Sequence, residues 1–138
     1  MLFPKKVKFR KWQKKRTNLV GRVATRGTTV AFGAYGLKTE SLGRLTSNQI
    51  EAARKAASRH LTKVGRMWIR VFPDRPVTSK AAEVPMGGGK GDLDGYCVEV
   101  LPGNILFEVD GVSAEVAREA LRKAGTKLPL KTRVVERL

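Results

Sequence analysis

Ile50, Ala53, Ala57, Leu61 and Val64 recur at three- and four-residue steps, which places them on one stripe of a helix. Thr46, with Gln49 three residues on, has the spacing of a capping box, and Gly65 suits the position just past a helix end. The pattern therefore predicts a helix from Thr46 to Val64. A second stripe, Val116, Ala117, Ala120, Leu121 and Ala124, is opened by Ser113 and closed by Gly125. Elsewhere short β-branched and aromatic runs predict strands over Thr28–Phe32, Met67–Phe72, Gly95–Leu101, Asn104–Val109 and Leu130–Val135. Pro73-Asp74-Arg75-Pro76 stops the second of these, and Pro102-Gly103 between the third and fourth signals a hairpin. Gly33 and Gly36 around Tyr35 suggest a bulge or a close backbone approach. Residues 79–95 form a long connection centred on Gly87-Gly88-Gly89-Lys90-Gly91. The expected fold class is α+β: two helices packed on a mostly antiparallel sheet, with an extended arm in front and a glycine-rich loop.

Charge divides the chain. Before the first acidic residue, Glu40, stand eleven lysines and arginines: Lys5, Lys6, Lys8, Arg10, Lys11, Lys14, Lys15, Arg16, Arg22, Arg26 and Lys38. The remaining residues carry seventeen basic and twelve acidic side chains, so the first 39 residues hold +11 of the net +16. A segment so charged repels itself and buries little apolar surface, and it settles on a polyanion. Two divisions are expected: a basic arm over residues 1–28 and one domain over 29–138. Within the arm Val7 and Phe9 alternate with Lys8 and Arg10, the period of an extended strand. Phe9 and Trp12 could stack on bases or wedge against the body.

The candidate chemistry is thin. A single cysteine, Cys97, excludes an intramolecular disulfide and reads as a small buried hydrophobe within a strand. No apolar run approaches a membrane span, and no apolar core follows the basic N-terminus as a secretory signal requires. A transit peptide would also be basic, but the arm lacks serine, and Pro4, Trp12 and Gly21 interrupt an amphipathic helix. His60 is the one histidine, so no Cys/His zinc set exists. Asp92 and Asp94 sit beside the glycine run and read as solvated turn carboxylates. The run itself is no P-loop: Val84 stands where the first glycine belongs, and Gly91 follows Lys90 in place of Ser or Thr. Its glycines still let backbone N–H groups approach a phosphate, with Lys90 as a cation at the tip. Two rival functions remain from other classes, a phosphate-handling enzyme using Lys90 with Asp92 or Asp94, and a nonspecific DNA-binding protein. RNA is favoured over duplex DNA because no helix carries base-reading side chains at regular spacing.

Ordered blocks along nearly the whole chain carry a resemblance. Pro4-Lys5, Lys8-Phe9-Arg10-Lys11, Gly43-Arg44-Leu45-Thr46 and Gln49-Ile50-Glu51-Ala52-Ala53-Arg54 are followed by Trp68-Ile69-Arg70-Val71-Phe72-Pro73-Asp74. Met86-Gly87, Gly89-Lys90-Gly91, Asp110-Gly111-Val112, Ala117-Arg118-Glu119-Ala120 and Lys127-Leu128-Pro129 continue the series. Together they resemble the bacterial and organellar family of large-subunit ribosomal protein sixteen. The resemblance implies a hammerhead-like α+β domain that binds large-subunit rRNA and helps organise the aminoacyl-tRNA site near the peptidyl transferase centre, with no catalysis of its own. The partners it implies are large-subunit rRNA, aminoacyl-site tRNA and neighbouring large-subunit proteins, on a cytoplasmic or organellar ribosome. No cofactor, metal, membrane or homo-oligomer is expected. Charge and resemblance together place rRNA contacts at Lys5, Lys6, Lys8, Arg10, Lys11, Trp12, Lys14, Lys15, Arg16, Arg44, Arg54, Lys55, Arg59, Lys63 and Arg70. The loop of Met86, Gly87, Gly88, Gly89, Lys90 and Gly91 is expected to face tRNA. Three departures stand out: Pro85 replaces the family's usual Arg, Gly88 a larger or basic residue, and Lys55 a common Arg whose planar fork is lost.

Overall fold

The computed structural model describes residues 1–13, 19–61 and 63–138. The elements in order are β1 (Tyr35–Thr39), β2 (Gly43–Thr46), α1 (Ser47–Ser58), β3 (Arg66–Ile69), β4 (Arg75–Ser79), β5 (Asp92–Val100), β6 (Ile105–Asp110), α2 (Ala114–Gly125) and β7 (Thr132–Glu136). Four strands form one sheet in the order β3-β6-β1-β7, and three form another in the order β2-β5-β4. Every described pairing is antiparallel. The fold is α+β, with two sheets in place of the single sheet expected.

The two helices pack on each other, α2 lies on the four-stranded sheet, and α1 reaches the smaller one. Between them sits a core of Leu37, Leu45, Ile50, Val100, Phe107, Val109, Ala117 and Leu121. Alanines at 53, 57, 117, 120 and 124 are fully buried, and their small side chains let the helices approach closely. Ile105 through Val109 of β6 are all buried, so this central strand is covered on both faces and shows no polar alternation. The helices cover one face. Residues 28–33 cross the other, anchored where Ile105 N–H donates to the Gly27 carbonyl at 2.8 Å and where Val30 is buried.

That crossing corrects the predicted strand over Thr28–Phe32. The segment joins no ladder, because the N–H groups of Ala31, Phe32 and Gly33 donate to the Glu108 carboxylate at 2.8, 2.8 and 3.1 Å. The first strand is β1, three residues further on. The predicted hairpin fails as well: β5 and β6 enter different sheets, and residues 101–104 are a corner between them. Gly103, at φ 105°, makes the turn, and Asn104 Oδ1 accepts from Leu101 N–H at 2.8 Å.

The capping box of α1 is present in both halves. The helix is shorter than its stripe predicts, ending at Ser58 with Arg59 as cap. His60 and Leu61 N–H donate back three residues to Ala57 and Ser58, which tightens the chain for its return to β3. Leu61 still packs on the core, while Val64 is 74% exposed and Gly65 is no cap. β3 ends at Ile69, short of the predicted Phe72, and α2 runs through Gly125 to a cap at Thr126. Two short strands escape the pattern, β2 and β4. Pro76 lies in β4, an edge strand, where a missing donor is tolerated. With β5 starting at Asp92, the glycine-rich connection shrinks to residues 80–91.

Candidate nucleic-acid interface

The arm touches the core at its start and displays its charges. Leu2 packs against the core, while Lys5, Lys6, Lys8, Arg10 and Lys11 are all exposed. None of these five forms an ion pair among the described residues. Lys14, Lys15 and Arg16 lie outside the described residues. Phe9 is 62% exposed, with the Lys8 ammonium 5.5 Å from its ring centroid.

Residues 11–13 meet the body at the tip of the glycine-rich loop. Lys90 Nζ donates to the Trp12 carbonyl, and Lys11 Nζ donates to the Lys90 carbonyl at 3.4 Å. Arg75 donates from Nη2 to the Gln13 carbonyl at 3.4 Å and lies 5.5 Å from the Trp12 ring centroid. Trp12 thus leans on the body through a cation–π contact and stays partly open.

Residues 80–90 are exposed throughout, and Met86 is fully so. Gly87, Gly88 and Gly89 have φ of 99°, 74° and 94°, a left-handed run closed to ordinary side chains, and Lys80 Nζ braces the bend by donating to the Gly87 carbonyl at 2.7 Å. The loop is thus a braced backbone surface with a cation at its rim. Asp92 and Asp94 are not in the loop; both stand exposed on β5. No group of three or more metal-ligating side chains exists among the described residues.

The basic face of α1 is mixed. Arg54 is bound by Glu51 through Nε at 3.2 Å and Nη2 at 2.5 Å, which holds the Glu51 carboxyl below its usual range and raises Arg54. Lys55 and Arg59 are exposed and line a cavity of about 450 Å³ with Met1, Asn48 and Lys127. Lys63 is exposed beyond the helix end. His60 shares a second hollow of about 360 Å³ with Arg59, Arg122, Lys123 and Lys127.

Two further expected contacts are, like Arg54, engaged within the chain. Arg44 donates from Nη2 at 3.0 Å to Oε1 of Glu99, its register partner across the ladder, and Arg75 approaches the same oxygen at 3.5 Å. Arg70 donates from Nη1 to the fully buried Glu108 at 2.5 Å and to the Thr29 carbonyl at 3.2 Å. Burial pushes the Glu108 carboxyl up, yet Arg70 and the three backbone N–H groups outweigh it and hold the group below its usual range. Burial raises the Cys97 thiol, which keeps it protonated and inert.

Sequence reasoning misses Arg75, hidden in a run that reads as a stop, and Phe32, hidden in a run that reads as a strand. Neither position carries a local signal, since each takes its meaning from residues far along the chain.

A family model described as ribosomal protein L16p/L10e matches residues 4–135. The chain is also 57% identical over 138 residues to the large ribosomal subunit protein uL16 of Verminephrobacter eiseniae (strain EF01-2), an alignment that covers 100% of this chain and 98% of that one.

Proposed function

We infer the function from one premise: the chain belongs to the ribosomal protein L16p/L10e family and is a structural constituent of the ribosome. From it we read the protein as an rRNA-binding component of the large subunit that helps shape the aminoacyl-tRNA site and performs no chemistry itself. The observation that carries this is the arm. Lys5, Lys6, Lys8, Arg10 and Lys11 are exposed and without carboxylate partners among the described residues, a display that repels itself until phosphates neutralise it. Lys55 on α1, Arg59 at its cap and Lys63 beyond its end extend the basic surface. Arg44, Arg54 and Arg70, each held by a glutamate, contribute less to RNA and more to the fold.

The loop of Met86 to Gly91 is the element directed at tRNA. Its left-handed glycines present backbone N–H groups, and its one cation, Lys90, also fixes the arm at Trp12. Pro85, in place of the family's usual Arg, leaves the rim with fewer charges. The large-subunit setting implies neighbouring proteins as further partners, and the bacterial relative favours the cytoplasmic ribosome over an organellar one.

Sedimentation of tagged protein through a high-salt sucrose gradient tests the assignment. Stoichiometric comigration with large subunits is expected, and loss to the soluble pool would overturn it. For the loop, Lys90→Ala in reconstituted subunits is expected to weaken aminoacyl-site tRNA while incorporation persists. Unchanged tRNA affinity would remove the loop from that role.

A further inference from the structure

Trp68 and Phe32 form a ring pair on the face of the four-stranded sheet that the helices do not cover. Trp68 is the register partner of Glu108 in the β3·β6 ladder, so both side chains leave the same face, opposite to Phe107 and Val109. Arg66 and Arg70 flank Trp68 at two-residue spacing and share that face. Phe32 arrives from the crossing segment and stacks on Trp68 at 6.2 Å between centroids and 20° between planes. The Arg70 guanidinium stands 5.2 Å from the Phe32 centroid.

The backbone beneath Phe32 is unusually constrained. Its own N–H and those of Ala31 and Gly33 are all bound by one buried carboxylate oxygen. A Cβ at Gly33 would lie 2.6 Å from the Val109 carbonyl oxygen, so only glycine lets the chain lie this close to the sheet. Arg70 ties the same segment at Thr29 and completes the brace on Glu108. Yet Phe32 remains 56% exposed. An aromatic that served the core would be covered. One held rigidly and open, beside a tryptophan and a guanidinium, offers a π-face whose ordering is complete before any partner arrives.

We propose that Phe32 and Trp68, framed by Arg66 and Arg70, form a stacking platform for an unpaired base of large-subunit rRNA. This rests on the rRNA reading above and adds to it a contact the arm's charges do not supply. A base fits better than an apolar protein segment because Arg66, exposed and in no ion pair among the described residues, puts a cation at the rim, as a phosphate-linked ligand requires, and because stacking on exposed aromatics is how proteins hold splayed-out nucleotides.

The test uses the full chain on its natural partner. Large subunits are irradiated with ultraviolet light and digested, and the peptide from Gly27 to Lys38, bounded by Arg26, is examined for a nucleotide adduct at Phe32. In parallel, binding to large-subunit rRNA is measured across a salt series for the wild type, Phe32→Leu and Phe32→Trp. The platform requires an adduct at Phe32. It also requires Phe32→Leu to weaken binding by about 5- to 150-fold, the span of one base stack, at an unchanged salt slope. Phe32→Trp restores the affinity. Tight wild-type binding with no adduct and no loss in Phe32→Leu overturns the platform and leaves the rRNA reading standing. A protein crosslink at Phe32 in place of a nucleotide also overturns it. A wild type that binds duplex DNA as well as rRNA at matched salt overturns both.

Discussion

Glu108 is the residue on which the two faces of the molecule depend. It is the one charged side chain within Ile105–Val109, and it is fully buried beneath residues 28–33. Its oxygens satisfy three backbone donors and the Arg70 guanidinium, so the cost of removing a charge from water is offset by four charge-assisted hydrogen bonds. Glu108→Gln places an amide N–H₂ among donors and leaves Arg70 unpaired. Urea unfolding at neutral pH is expected to show a loss of about 3 kcal/mol, the usual scale for breaking a buried pair. The pH dependence follows from the direction of the shift. A carboxyl held below its ordinary 4.5 binds its proton more weakly when folded than when unfolded, so it stabilises the protein above that value. This stabilisation fades as pH falls through the folded value. The Gln variant is therefore expected to lose stability less steeply than the wild type as pH falls below about 5. An equally steep decline in both would show that Glu108 is not the group whose protonation unravels the crossing segment. Gly33 makes a second residue-scale case. Gly33→Ala forces a methyl against the Val109 carbonyl and is expected to lower stability by about 1–3 kcal/mol, checked by thermal unfolding.

Among the elements, the helices are the most legible in the sequence, because their signals are local. Thr46 and Gln49 bond each other's backbone as their spacing predicts, with Gln49 N–H to Thr46 Oγ1 at 3.3 Å and Thr46 N–H to Gln49 Oε1 at 3.0 Å. Thr46→Ala is expected to cost about 1 kcal/mol in denaturant unfolding with no change in slope. Strand partnership is not local. Pro102-Gly103 has the chemistry of a tight turn, yet β5 is committed to β2 and β4 while β6 is committed to β1 and β3, so the chain turns a corner between sheets. β1 is obscured by Gly36 within it and Gly33 just before it, which depress strand propensity and are needed where the crossing segment and sheet backbone press together. The stripe of α1 overruns its helix because Leu61 reaches the core from a tightened turn as well as it would from another helical turn. The candidate interface divides along the same line. Excess charge in the arm needs no fold to be seen, whereas the retention of Arg70 by a glutamate 38 residues away is invisible without one.

At the scale of the whole molecule the +16 charge and the aromatic platform separate into two kinds of binding energy. Phosphate contacts release counterions and so depend on salt, while a stacked base does not. If the arm and α1 neutralise about eight phosphates, log K for rRNA is expected to fall with log salt at a slope of about −5 to −7. Each of Lys5, Lys8, Arg10 and Lys11 is exposed and unpaired by any carboxylate among the described residues, so each is placed to contribute about one contact. Replacing all four with alanine is expected to bring the slope about 3 units closer to zero and to weaken binding most at low salt. Arg54→Ala is expected to change the slope far less, since Glu51 already neutralises that guanidinium within the helix. Filter binding at several salt concentrations distinguishes these outcomes. An unaltered slope in the fourfold variant would mean that the arm's charges do not meet phosphate, and the affinity would then have to originate on the body of the protein.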